Sequence, residues 1–179
     1  MKLELIPYTD LILHEKTQPF DFENPPHDPA ELAEAMNALV EEKNGLGLAC
    51  PQVGISFAMF VMRGPIACFN PTIITVSDEL IELEEGCLSL AGIVLKINRP
   101  RHVRVRYQDQ VGKTHTATWA NMTARIVQHE MDHLEGILFT DLVSRTRLDM
   151  AIRKAKKLKY NYSIGELRKN ARMEENTKV

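Results

Sequence analysis

Two rhythms of hydrophobic and polar positions run along this chain. Between Asp28 and Gly45 the apolar residues Leu32, Met36, Leu39 and Val40 recur at three- and four-residue intervals, the period of an amphipathic helix. Asp28 as N-cap, Pro29 at the first helical position and Glu31 closing a capping box mark its start, and Asn44-Gly45 its end. From about 55 to 119 the rhythm shortens to that of strands. FAMFVM is apolar enough to be buried, TIITV and LIEL are short and β-prone, and HVRVRY puts Val103, Val105 and Tyr107 on one face. The turn residues Asp109 to Gly112 precede HTATW and predict a hairpin. A second helix begins near Asn121 and stops at Gly136. A third, capped by Thr146 with Asp149, runs to about Tyr160 on the narrow stripe Leu148, Ile152, Ala155 and Leu158.

Pro7, Pro19, Pro25 and Pro26 make residues 1–27 an extended arm, and the polar residues 161–179 read as a flexible tail. The expected fold class is α+β. Mainly antiparallel strands would pack around a central helix bearing His129, Glu130 and His133, with an N-terminal and a C-terminal helix beside it. A chain of 179 residues fits one catalytic domain, placed at 1–160.

Composition narrows the function classes. A net charge of -2 gives no global field toward DNA or a membrane. No apolar run approaches the roughly 18 residues of a membrane span. Glu4, Pro7 and Asp10 break the apolar start, which argues against a signal peptide. Cys50, Cys68 and Cys87 are odd in number and widely spaced, so a reducing, cytoplasmic setting is expected. Charge is concentrated locally in the last helix, where residues 145–159 hold seven basic side chains against one acidic. That stretch reads either as a solvated face or as a patch for ribosomal RNA or another polyanion.

The stretch VQHEMDHLEG, Val127 to Gly136, carries the candidate chemistry. His129 and His133 lie one helical turn apart on one face, so both can reach a single metal ion. Glu130 is rotated by about 100° and can reach a water on the metal rather than the metal itself. Met122 and Ile126 share the histidine face and would make an apolar wall beside the centre. The third ligand must come from elsewhere. One metalloprotease class extends the motif through a glycine to a third histidine; Gly136 is in place, but Phe139 stands where the histidine should be. Glu135 is too close to serve, and Glu166 lies in the tail. Cys87, in EEGCLSL, is the best remaining candidate. GLGLACPQVG, Gly45 to Gly54, adds a glycine-rich approach and the Gln52 amide.

Taken together, GLGLACPQ, EGCLS and QHEMDH resemble the three motifs of the peptide deformylases, in order, over about residues 28 to 160. The resemblance implies that Cys87, His129 and His133 hold one divalent metal, with Glu130 as acid and base and with Gln52 and the Leu88 N–H as oxyanion donors. It places the pocket for a methionine side chain at Leu46, Gly47, Gly86, Met122 and Ile126, beside His129. Ferrous iron is the implied native metal, with zinc, nickel or cobalt as substitutes. The implied reaction hydrolyses the N-formyl group of formyl-methionyl nascent peptides to formate, in a monomer that could meet the ribosome through helix 146–160. Cys50 replaces the usual second alanine of the first motif, and Asn121 stands where glycine is frequent. We further expect Asp132 to pair with Arg99 and to pin the histidine helix to the Cys87 segment. Two rivals remain at this stage: another metallopeptidase with the same two-histidine logic, or a structural metal site in a ribosome-associated module. The latter needs a fourth ligand among Cys50, Cys68, His102 and His115.

Overall fold

The structure, a computed structural model, describes residues 1–163 and Leu167. Its class is α+β, with antiparallel sheets and three α-helices among the described residues. Helix α1 spans Pro29–Glu42, and strands β1 to β3 follow at Gly47–Ala49, Met59–Met62 and Ile66–Val76. Strands β4 and β5, Leu80–Glu85 and Leu95–Pro100, form a two-stranded ribbon of their own. Strands β6 and β7, His102–Gln108 and Thr114–Ala120, complete a five-stranded sheet in the order β1-β2-β3-β6-β7. Helices α2, Asn121–Leu134, and α3, Arg145–Lys157, close the described fold.

Strand β2 explains the layering. Met59 and Val61 pack with Leu32, Met36, Leu39 and Val40 of α1, whereas Phe60 and Met62 pack with Ala124, Val127 and Leu134 of α2. Successive strand residues face opposite sides, so a strand covered by a helix on each face must be apolar throughout, as MFVM is. Strand β6 is covered on one side only: Val103 and Val105 are buried, and Arg104 and Arg106 are exposed. A third cluster joins Leu95 and Ile97 of β5 to Leu148, Ala151 and Ala155 of α3, with Leu13 from the arm.

Several expectations need correction. The arm contains a 3-10 turn at Leu11–His14 and is tied down, with Leu13 and Phe20 buried. Asp28 does cap α1, accepting from Glu31 N at 2.8 Å, but the Glu31 carboxylate takes the amino group of Met1 at 2.9 Å. Helix α3 is capped by Ser144, two residues earlier than the Thr146 cap, because its Oγ can reach Arg147 N. Leu158 follows the last turn of α3 and is exposed rather than part of the stripe. Strands β1 and β5 were not anticipated: the first is three residues long, and the second alternates with Lys96 and Asn98 on its outer face. Of the tail at 161–179, residues 164–166 and 168–179 lie outside the described residues; Leu167 is buried in the α3 cluster. No helix among the described residues is long and apolar enough to cross a membrane.

Because the Asp28 carboxylate satisfies an otherwise unpaired helix donor, Asp28→Ala should lower unfolding free energy by about 1 kcal/mol. Asp28→Asn should retain most of that, as urea unfolding of the two variants would show.

Candidate active site

Strand β7 runs into α2 without a loop. Asn121 makes the corner with a φ of 54°, its N–H donating to Arg101 O at 2.8 Å and its Oδ1 accepting from Arg101 Nε at 2.9 Å. Such a left-handed position suits asparagine, whose short polar side chain bonds locally. From there Ala124, Val127 and Leu134 turn toward the sheet. His129, Glu130 and His133 are buried as well. Cys87 comes from the loop that follows β4, and its Sγ lies 3.3 Å from His133 Nε2. The ligand atoms of Cys87, His129 and His133 lie within 4.8 Å of one another, the one such metal-capable group among the described residues.

These residues fit a bound metal. Two imidazoles and one thiol converge, all buried, and such a set suits zinc or a first-row transition ion. Glu85 Oε2 engages His129 Nδ1 at 3.0 Å, which leaves Nε2 as the donor nitrogen, the outer-sphere arrangement that metal-binding histidines use. Burial opposes charge on Cys87, but the positive charge and hydrogen bonds of the two imidazoles outweigh it and hold the thiol well below its ordinary range. Burial pushes the thiols of Cys50 and Cys68 up. Cys50 is packed between the sulfurs of Met36 and Met59, at 3.4 and 3.6 Å, away from the site. His115 pairs with Asp109 at 2.6 Å. Neither of them, nor Cys68 or His102, joins the ligand group among the described residues.

Glu130 is 4% exposed, and burial raises its carboxyl to about 7 against the opposing charge of the two histidines. One of its oxygens, Oε2, is buried with no hydrogen-bond partner in the protein. Gly47 makes room for it: a Cβ there would stand 2.5 Å from Glu130 Oε1 and 2.9 Å from Ile126 Cγ2. Only a residue without a side chain permits that approach. Gln52 is oriented from behind, its Oε1 accepting from Ala49 N at 2.8 Å. Its amide nitrogen therefore faces Cys87 Sγ at 3.4 Å and Ser89 Oγ at 3.1 Å.

The ligand group opens onto a cavity of ≈ 310 Å³. Leu46, Gly47, Gly86, Met122 and Ile126 line it, together with Gln52, Cys87, Leu88, His129 and Glu130. The sequence motifs thus meet around one space.

Two residues absent from the sequence reading sit beneath it. Glu85 accepts from Arg99 through two bonds, at 2.6 and 2.9 Å, and from Arg125 Nη1 at 2.7 Å. Arg99 also donates to Asp132 Oδ2 at 2.7 Å. Arg125 donates further to the carbonyls of Ile97 and Ile81 at 2.7 and 2.6 Å. A signal for Arg125 was available, since it stands four residues before His129 and eight before His133 on one helical stripe.

Burial alone would raise the Glu85 carboxyl, but bonds from His129, Arg99 and Arg125 and the charge of Arg99 hold it at about 2. A depressed carboxyl contributes stability above its unfolded value and loses it as pH falls. Relative to an ordinary glutamate the shift corresponds to about 3 kcal/mol, lost between about pH 4.5 and pH 2. In metal-free protein, Glu85→Gln should cost about that much at pH 7. The difference from wild type should shrink through the acid window in urea unfolding.

Known proteins share this architecture. The family model described as polypeptide deformylase matches residues 2–148. A peptide deformylase of Borreliella burgdorferi is 39% identical over 144 residues, covering 78% of this chain and 86% of its own. One from Bartonella tribocorum is 38% identical over 165 residues, covering 86% and 90%. The solved structure of a Synechococcus elongatus peptide deformylase in complex with actinonin superposes with a TM-score of 0.83 at 31% identity, covering 93% of this chain and 90% of that one. With a match of this extent laid over the same motifs, the chain belongs to the peptide deformylase family.

Proposed function

We propose that this enzyme removes the N-formyl group from formyl-methionyl nascent peptides and releases formate. The observation that carries this reading is the meeting of Cys87, His129 and Glu130 on one largely apolar cavity, with His133 buried beside Cys87 and His129 in the same ligand group. Cys87, His129 and His133 hold one divalent ion, ferrous iron in the native protein, with zinc, nickel or cobalt able to replace it. When bound, the ion supplies the positive charge that polarises the formyl carbonyl and makes water acidic enough to attack near neutral pH.

The side chains do the rest. Glu130 takes the proton of the attacking water and delivers it to the departing amine; a carboxyl near 7 is matched to moving a proton in both directions. Gln52 Nε2 and the Leu88 N–H donate to the oxyanion as the carbonyl becomes tetrahedral. Leu46, Gly47, Gly86, Met122 and Ile126 receive the methionine side chain. Arg99 and Asp132 act from outside, keeping the α2 histidines in register with the Cys87 loop.

The catalytic machinery forms a single domain over residues 1–160, built around α2 as its central helix, and works in the cytoplasm as a monomer. Arg153, Lys154, Lys156 and Lys157 are exposed on α3, which supports ribosome docking through helix 146–160. Another metallopeptidase or a structural metal module is not favoured. A closed structural site has no use for a buried, proton-exchanging Glu130 or for a fixed Gln52 amide.

Purified without oxygen and loaded with ferrous iron or nickel, the chain should release formate from a formyl-Met peptide and leave the unformylated peptide untouched. Absence of formate would overturn this reading. Glu130→Gln should lower turnover by about 10²-fold or more. Neutralising Lys154, Lys156 and Lys157 together should weaken ribosome binding, more at low salt than at high salt, in a sedimentation assay.

A further inference from the structure

The N-terminal arm and the segment that follows α3 meet behind the loop that carries Cys87 and Leu88. One of them lies beyond residue 148, where the family match stops. After α3 the backbone reverses at Lys159, whose φ is 69°, and Tyr160 N–H donates to Ala155 O at 3.1 Å. This turn brings Tyr160 and Tyr162 back over Ala91 and Gly92. The Tyr160 ring sits against Gly92, where φ is +81° and a Cβ would stand 2.5 Å from Tyr160 Cδ2. The Tyr162 hydroxyl donates to the Ala91 carbonyl at 2.8 Å. Tyr8 of the arm meets the Tyr162 ring edge-on, with centroids 5.1 Å apart. Two residues earlier, Ile6 N–H donates to Gln52 O at 3.0 Å, so the same arm also holds the turn that bears Gln52.

We propose that Tyr160 and Tyr162 are positioning residues for the deformylation reaction, bracing the Cys87–Ile93 loop from behind so that the Leu88 N–H stays aimed at the oxyanion. The inference rests on the role given to Leu88 above. The inner half of the loop anchors itself through Leu90 and Ile93, both buried. Its outer turn, Ala91-Gly92, offers only a methyl group and a hydrogen to pack, at a backbone angle that few residues would hold. Two tyrosines supply from outside the contacts that this turn lacks. The 3-10 turn at Leu88–Leu90 depends on Leu90 N–H to Cys87 O and continues through Ile93 N–H to Leu90 O. The Cys87 carbonyl shares its peptide unit with the Leu88 N–H, so residues 91 and 92 are linked to that donor through Leu90 and Cys87.

The test uses the metal-loaded full chain and a double variant, Tyr160→Ala with Tyr162→Phe, with Tyr162→Phe alone as a milder change and Tyr160→Phe as the conservative one. Outright loss of an oxyanion donor typically costs about 10²–10³-fold in turnover, so a loosened donor should cost about ten-fold in kcat with KM nearly constant. Amide hydrogen exchange at residues 88–93 should quicken while α2 stays protected, and Tyr160→Phe should match wild type on both measures. Unchanged kcat and exchange in the double variant would overturn the proposal. So would a change confined to KM, or faster exchange throughout the molecule that Tyr162→Phe alone shares. If the wild type releases no formate, the reading of the reaction fails, while the exchange experiment still decides whether the brace exists.

Discussion

Glu85 is a carboxylate closed in between two guanidinium groups, and the geometry of the site descends from that contact. Burying one such charge without partners would be prohibitive; with Arg99, Arg125 and His129 around it, the charges satisfy one another. Its partners come from different pieces of the fold: Arg99 from β5 of the ribbon, Arg125 and His129 from α2. One carboxylate therefore locks the small sheet to the helix and selects the imidazole nitrogen that faces the metal position. Asp132 extends the network on the far side of Arg99. The apolar clusters bring these elements close, but they are non-directional and cannot set the rotation of an imidazole ring.

The three thiols show how the same residue type takes its character from its neighbours. Cys50 and Cys68 are sealed in apolar surroundings, where burial favours the protonated form and leaves a small hydrophobe. Cys87 is equally closed in, yet two imidazoles reverse the balance in favour of thiolate. Burial alone does not decide reactivity. The groups beside the sulfur do.

Much of this was legible in the sequence because it is local. The α1 cap, the β6–β7 turn and the stop at Gly136 each depend on a few consecutive residues with distinct backbone preferences. The residues His129, Glu130 and His133 could be placed on one helix by spacing alone, and Phe139 excluded a third histidine. Other features were not legible because they depend on partners far along the chain. The pairing of Arg99 with Asp132 is expected from the sequence, but nothing in LKINRP shows that Glu85 holds the same guanidinium until the two strands of the ribbon are laid together. Glu85 in turn looks like one more acidic residue in LIELEE, although it is the buried one of the six. Charged side chains are assigned to the surface by default, and that default fails where they neutralise one another.

The corner at Asn121 gives the molecule a lever. Strand and helix join there through one left-handed residue, with no flexible loop to absorb displacement. His129 stands eight residues on, about 12 Å along the helix axis, so a tilt of only about 5° at the corner would carry its ring through about 1 Å. Positioning errors of that size are large on the scale of bond-making chemistry. The outermost strand, although it lines none of the cavity, is thus the fulcrum on which the imidazoles are aimed.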